Sequence, residues 1–309
     1  MDIKQLRYFL AIVEHGSITN ASKTLRVAQP ALSMHVKNME DALGTRLLDR
    51  SRSGVTPTEA GDLLARRART LIDDLARAED DVRTLDTDPS GVVRIGLTGT
   101  ISGIVALPLI AAARAKYPRI KLNIAEAMSG FISDWMTEGR VDIAVLYEAA
   151  RGTNAVSELM LEEELVVLWR GETECLAEMS LAGLRGVPMV VPSNAHGLRI
   201  QIDAALGAVG IEPTIAVEID SYINIKRLVA AGFGASILPY HAVLDESRDG
   251  SLAISRIADP GLWRGAHLIY PAGRPVTRAQ HAIRDLLRDV IQNLLTNGEW
   301  AAARLAPVK

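Results

Sequence analysis

The chain has 309 residues, enough for about two domains, and its 48% hydrophobic and 23% charged content excludes disorder and a collagen-like repeat. Its net charge of −3 excludes a uniformly basic nucleic-acid coat, but residues 1–58 carry +3, residues 59–88 carry −4 and the remainder −2. A basic head on an acidic body points to nucleic acid.

The single cysteine, Cys175, excludes an intrachain disulfide and a two-cysteine zinc site, and fits a reducing cytoplasm. The opening MDIKQLRYFLAIVEHG has a short apolar run interrupted by Arg7 and Glu14, unlike a secretory signal. The uncharged stretch Leu228 to Leu244 is broken by Gly232, Gly234, Ser236 and Pro239 and falls short of the roughly 20 apolar residues of a membrane helix. The expected location is cytoplasmic and nucleoid-associated, with no membrane partner.

In chain order, Ile3, Leu6, Phe9, Leu10 and Val13 recur at helical spacing up to Gly16. Ser17 can cap a second helix lined by Ile18, Ala21 and Leu25. Arg26 and Val27 form a turn, and Pro30 suits the first turn of a third helix, where its missing N–H is not needed. Leu32, Val36, Met39 and Leu43 face inward on that helix and Gly44 stops it. This spacing predicts a helix-turn-helix. TRLLDRSRSGVTPTEAG has the length of a hairpin wing carrying Arg50 and Arg52.

Thr58 and Glu59 open a long helix that runs to about Leu85. Its seam is Leu64, Ala68, Leu71, Leu75, Ala78, Val82 and Leu85, a strict heptad pattern expected of a two-helix coiled coil roughly 40 Å long. Packing of that helix on its own domain is the alternative.

Residues 86–91, DTDPSG, break the helix. Beyond them the expected order is strand 92–97, helix 102–116, strand 120–126, helix 131–138 and strand 142–147. Strands 165–169 and 187–191, helix 198–209, strand 214–218, helix 222–231 and strands 235–238 and 252–257 follow. Strand 267–270 and helix 277–295 close the chain. The β-α-β-α-β order implies a parallel sheet with covering helices, and two crossings imply two α/β lobes hinged around a ligand.

Taken together, LRYFLAIVEHGSITNAS, LRVAQPALSMHVKNMEDALGTRLLDR, TPTEAG, GRVDIAVLY and GFGASILP resemble the LysR-type transcriptional regulators over nearly the whole chain. The stretch EAMSGFISDWMTEGRVDIAVLY is similar to the nitrogen-assimilation-control branch. The resemblance implies an N-terminal winged helix-turn-helix (1–58), a dimerising linker helix (59–88) and a C-terminal α/β two-lobed domain of the periplasmic-binding-protein type (89–309). Lobe I is expected over about 92–161 and 266–300, and lobe II over about 162–265. It also implies a homodimer or homotetramer on an inverted-repeat operator, contact with RNA polymerase, a small-molecule inducer and no cofactor.

The matching DNA-reading positions are Gln29, Pro30, Ser33 and Met34, with His35 beside them. A glutamine amide pairs with adenine N6 and N7, and Pro30 suits a thymine methyl group. Family members often place arginine or another polar residue at Met34; this chain has an apolar one, so its sequence preference is expected to differ. Arg50 and Arg52 are expected on phosphate or in the minor groove, with Ser17, Thr19 and Lys37 adding backbone contacts. A solvated, capping face is the plainer reading of Gln29 and Ser33, and an exposed charge pair that of the two arginines.

In two-lobed α/β domains ligands bind at the carboxyl ends of strands, against helix N-termini. Four loops qualify, carrying Thr98, Thr100 and Ser102; Ser129; Ser193, Asn194 and His196; and Tyr222. By resemblance, Thr100, Ser129 and Ser193 occupy family inducer positions. Helix capping alone also accounts for Thr100, Ser102, Ser129 and Ser193. A small organic acid is the expected inducer.

Enzyme chemistry is not expected. The six histidines lack metal-ligand spacing, GxSxG is absent, and Cys175 sits in the acidic stretch ETECLAE, which opposes thiolate formation. The remaining alternatives are an inducer-independent DNA-binding protein and a cytoplasmic metabolite-binding protein.

Overall fold

The computed structural model describes residues 1–51, 54–83, 88–149, 155–194, 196–258, 261–273 and 276–306. It divides into an N-terminal unit, Met1–Thr87 with Thr137–Arg140, and a C-terminal unit, Asp88–Met136 with Val141–Lys309.

In the N-terminal unit, α1 (Ile3–His15) starts at a capping box between Asp2 and Gln5 and ends at Gly16, whose φ of 58° only a glycine adopts freely. Next come α2 (Ile18–Leu25) and α3 (Gln29–Leu43), joined through Arg26 in the left-handed region at φ 56°. The wing is the antiparallel pair β1 (Leu48–Ser51) and β2 (Gly54–Pro57). The long helix α4 (Glu59–Arg83) follows. Phe9, Ile12, Leu32, Met39 and Leu47 fill the core, and Ala65 and Ala68 of α4 close it. Gly61 lets α4 approach: a Cβ there would collide with the Leu47 carbonyl.

The C-terminal unit begins with β3 (Gly91–Leu97), α5 (Gly99–Lys116), β4 (Ile120–Glu126), α6 (Ser129–Thr137) and β5 (Ile143–Leu146). It continues through β6 (Ala155–Arg170), β7 (Glu178–Met179), β8 (Pro188–Val191), α7 (Gly197–Ala208), β9 (Thr214–Glu218), α8 (Tyr222–Ala230) and β10 (Ser236–Pro239). Then come α9 (Leu244–Arg248), β11 (Leu252–Ile257), β12 (Leu262–Pro271), α10 (Arg278–Thr296) and β13 (Ala303–Leu305).

Strands β4, β3 and β5 are parallel, as the βα pattern predicts. Beyond them the sheet is mixed: β12 runs antiparallel to β5 and β6, and β10, β11 and β13 run antiparallel to β6. Strands β8 and β9 form a separate parallel pair. Two apolar cores result. One contains Leu161 and Ala266, the other Leu165 to Leu168 and Ile257. The long strands β6 and β12 thus pass from one lobe to the other at Glu162–Glu164 and at Trp263–Gly265.

Several expectations are corrected. The strand expected at 165–169 is the end of a 16-residue strand; three consecutive glutamates interrupt its apolar pattern and hid its first half. Helix α5 starts at Gly99 rather than 102, and α6 at Ser129 rather than 131. Thr100, Ser102 and Ser129 therefore belong to first helical turns, not to the preceding loops. Strand β13 was not anticipated. A longer uncharged run than Leu228–Leu244 is Ile95–Ala113. Its helix α5 has the length and mean hydropathy (1.2) of a membrane span, but Ile101, Val105, Leu109 and Ala113 are buried in the lobe I core.

Candidate functional site

The first candidate surface lies on the N-terminal unit. Gln29 and Pro30, the first two residues of α3, are exposed, and Ala28 before them makes no side-chain cap. Met34 is 61% exposed. One turn further along α3, a concavity of about 530 Å³ opens between the helix and the wing, lined by Ser33, Met34, Lys37, Glu40, Arg46, Leu48 and Arg50. Glu40 does not cancel its charge freely: Oε1 accepts from the backbone N–H groups of Leu47 (2.8 Å) and Leu48 (3.2 Å). That clamp fixes the start of β1 against α3 and leaves Lys37, Arg46 and Arg50 as the cations of the concavity.

Arg46 was missed because only Arg50 and Arg52 stood out in the stretch read as a wing. Its carbonyl accepts from the Thr58 hydroxyl at 2.7 Å, which ties that stretch to the start of α4. Ser17 caps α2 through the Asn20 N–H, and Thr19 is exposed. His35, expected on the reading face, instead packs its ring 5.2 Å from that of Tyr8 on α1. Arg52 lies outside the described residues.

Helix α4 divides its seam. Ala68 is fully buried and Leu64 packs against the same core, whereas Leu71 (50%), Leu75 (37%) and Val82 (70%) are exposed, as is Ala78. The free part of the seam begins at Leu71. Leu85 lies outside the described residues.

The second candidate site is in the C-terminal unit, where both lobes and the crossing strands contribute. The Arg264 guanidinium on β12 is 1% exposed and lies 3.4 Å above the Tyr147 ring. It donates to Glu163 Oε1 at 2.6 Å and to the Thr100 hydroxyl at 3.2 Å. The Thr100 and Tyr147 hydroxyls are 2.7 Å apart. Burial opposes the charge on Arg264, but Tyr147 and Glu163 outweigh it, and Tyr222 adds a hydrogen bond in the same direction. Burial pushes the Tyr147 phenol well above its usual range. Burial would also raise Glu163, yet Arg264, His241 and Trp300 hold its carboxyl down at about 2.

His196 completes the cluster from lobe II. Its Nδ1 accepts from the Leu198 N–H at 3.1 Å, which puts the proton of the neutral ring on Nε2. Nε2 lies 3.5 Å from the Tyr222 hydroxyl. Burial first, and Arg264 second, lower its pKa and keep the ring neutral near pH 7.

Thr100, His196 and Tyr222 are thus brought together, with Arg264 and Tyr147 added. Ser193 is turned elsewhere, bonding Asp220 through both its N–H (2.9 Å) and its hydroxyl (2.8 Å). Ser102 and Ser129 are half-buried in first helical turns and Asn194 is exposed. Thr98 precedes α5 without capping it, and its buried hydroxyl finds no hydrogen-bond partner among the described residues. Arg199, the nearest cation by sequence, is held by Asp203, Glu218 and the Pro192 carbonyl. No group of three metal-ligating side chains occurs among the described residues.

Comparison with known proteins follows this division. Residues 3–62 match the bacterial regulatory helix-turn-helix protein family of the lysR type, and residues 86–292 match the LysR substrate binding domain. The chain is 29% identical to the nitrogen assimilation regulatory protein nac of Escherichia coli over 303 residues, 97% of this chain and 99% of that one. Its fold is similar to a full-length OxyR variant from Pseudomonas aeruginosa (TM-score 0.77, 21% identity, 100% and 99% of the two chains). It is likewise similar to full-length CbnR in complex with its target DNA (TM-score 0.69, 22% identity, 95% and 99%).

Proposed function

This chain belongs to the LysR family of transcriptional regulators, with a helix-turn-helix DNA-binding domain and an effector-binding domain, and from that premise we propose how each site works. Gln29 reads base edges at the start of α3, and Met34 lies against bases as an apolar contact. Lys37, Arg46 and Arg50 hold phosphates and set the register. The exposed seam from Leu71 to Val82 pairs two copies, so that two reading helices meet an inverted repeat. The protein acts in the cytoplasm, without enzymatic turnover, and contacts RNA polymerase.

The effector site is the cluster of Thr100, Tyr147, His196, Tyr222 and Arg264. The observation that carries this reading is the convergence of three hydroxyls, a neutral imidazole and a buried guanidinium from both lobes. Those groups suit the carboxylate of a small organic acid, and a ligand touching both lobes shifts their equilibrium by its differential affinity.

Fluorescence anisotropy of the full-length protein tests the DNA reading, using DNA from upstream of its own gene and a scrambled duplex across a salt series. Tighter, salt-sensitive binding to the upstream DNA is expected, and equal affinity for both duplexes contradicts it. Thermal shift against acetate, succinate, citrate and benzoate tests the effector reading. A shift that Thr100→Val and Tyr222→Phe abolish is expected. A shift indifferent to both, or none with any of the acids, removes the site.

A further inference from the structure

Three glutamates, Glu162, Glu163 and Glu164, occupy the point where β6 passes between lobes, and each meets an arginine: Arg304, Arg264 and Arg256. The outer two pairs reach solvent through their arginines, which are 57% and 52% exposed. The middle pair is sealed, with both side chains 1% exposed.

Glu163 is met by groups from three distant segments. Oε1 accepts from Arg264 Nε on β12 at 2.6 Å, and Oε2 accepts from the indole Nε1 of Trp300 at 3.0 Å. His241 Nδ1, after β10, stands 3.0 Å from Oε2, at ion-pair distance without hydrogen-bond alignment. The other ring nitrogen of His241 is 3.3 Å from the Thr100 carbonyl, and its ring meets the indole edge-on at 5.5 Å.

The indole arrives by a dedicated route. Gly298 (φ 71°) ends α10, the Trp300 N–H donates back to the Leu294 carbonyl at 3.0 Å, and Ala302 takes the left-handed conformation at φ 51°. That conformation is uncommon for an alanine and is retained here by the bonds around it. Strand β13 then pairs with β6, with Ala303 opposite Glu163, and the Ala302 carbonyl accepts from the Glu164 N–H at 2.9 Å. All of this lies beyond residue 292, where the match to the LysR substrate binding domain ends.

We propose that Glu163 is the positioning residue of the effector cluster, and that the C-terminal tail, through Trp300, holds it in register. A carboxylate whose two oxygens each accept from a different side chain has one orientation. That orientation fixes the Arg264 fork, and the fork, lying on Tyr147, fixes the Thr100 hydroxyl. The tail is therefore part of the effector machinery. This inference rests on the effector reading of the cluster for its functional meaning, but not for its physical content.

Hydrogen–deuterium exchange of the full-length protein, with no small acid added, reads the coupling directly. Trp300→Phe keeps the aromatic bulk and removes the N–H donor. Peptides covering the first two turns of α5 and the start of α8 are expected to exchange roughly tenfold faster, the size of a lost hydrogen bond to a charged group. Peptides covering β8 and β9 are expected to stay unchanged. The isosteric Glu163→Gln is expected to give the same pattern, and the double variant to add little to either single one. Unchanged exchange in α5 and α8, or uniform acceleration over the whole C-terminal unit, overturns the proposal. A negative acid screen together with coupled exchange overturns only the effector reading. A positive screen with uncoupled exchange overturns only the positioning role.

Discussion

Gln29 stands exposed at the first position of α3, where a side chain reaches furthest into a groove. Gln29→Ala is expected to erode discrimination between operator and scrambled DNA by about 1–3 kcal/mol, with equal loss on both as the contrary result in anisotropy titrations. Arg50→Ala and Arg46→Ala are expected to weaken both duplexes alike, each lowering the salt slope by about 0.9. A slope that stays put removes that residue from the phosphate set. Glu163 makes an acid prediction. Its folded pKa of about 2 lies below the ordinary carboxylate value, so its contribution is full above about pH 4.5 and is lost as pH falls through 2. Acid unfolding curves of Glu163→Gln are expected to lack that component, and a curve parallel to the parent below pH 4.5 contradicts the assignment. The outward placement of Gln29 and Met34 was legible in the sequence because helical period assigns the inward face of α3 to Leu32, Val36 and Met39, and that of Arg50 because the hairpin length sets it on the wing. Arg264 was not legible, since it lies 164 residues from Thr100 and only the strand crossing brings the two together.

Among the elements, α4 and β6 have two roles each. The first turns of α4 close the winged domain through Ala65 and Ala68, and the later ones leave an apolar stripe of Leu71, Leu75, Ala78 and Val82. Such a stripe on a charged helix is stable in water when a second helix covers it. Leu71→Asp combined with Leu75→Asp is expected to dissociate the protein in sedimentation velocity while the helix-turn-helix stays folded by circular dichroism. Sedimentation identical to the parent sinks the pairing through this stripe. The heptad period was readable, but that Leu64 and Ala68 belong to the domain core was not, because period 3.5 does not say which partner covers a face. Strand β6 poses the converse problem. Its glutamates look like a loop in sequence, yet each is satisfied by an arginine supplied from elsewhere in the chain, and the ladder runs through them.

For the molecule as a whole, a regulator needs a sensor with two arrangements and a reading head that responds to them. Strands β6 and β12 join the lobes continuously, so lobe movement must bend the sheet at Glu162–Glu164 and Trp263–Gly265, beside the buried Arg264 pair. In the proposed effector site, Arg264 and Tyr222 stand where the two cores meet. By itself the sequence determined the order of elements, the helix-turn-helix and its outward residues, the two-lobed α/β class and the family, because those follow from local period, capping residues and turn glycines. Only the tertiary structure decided which expected side chains meet. Ser193 was drawn to Asp220, His35 to Tyr8, and Thr100 to an arginine whose partner Glu163 is held by a tail tryptophan, neither of which any local pattern marks. The reason is physical: a polar side chain takes whichever partner the folded backbone brings within reach, and that choice depends on contacts between residues from 27 to more than a hundred positions apart.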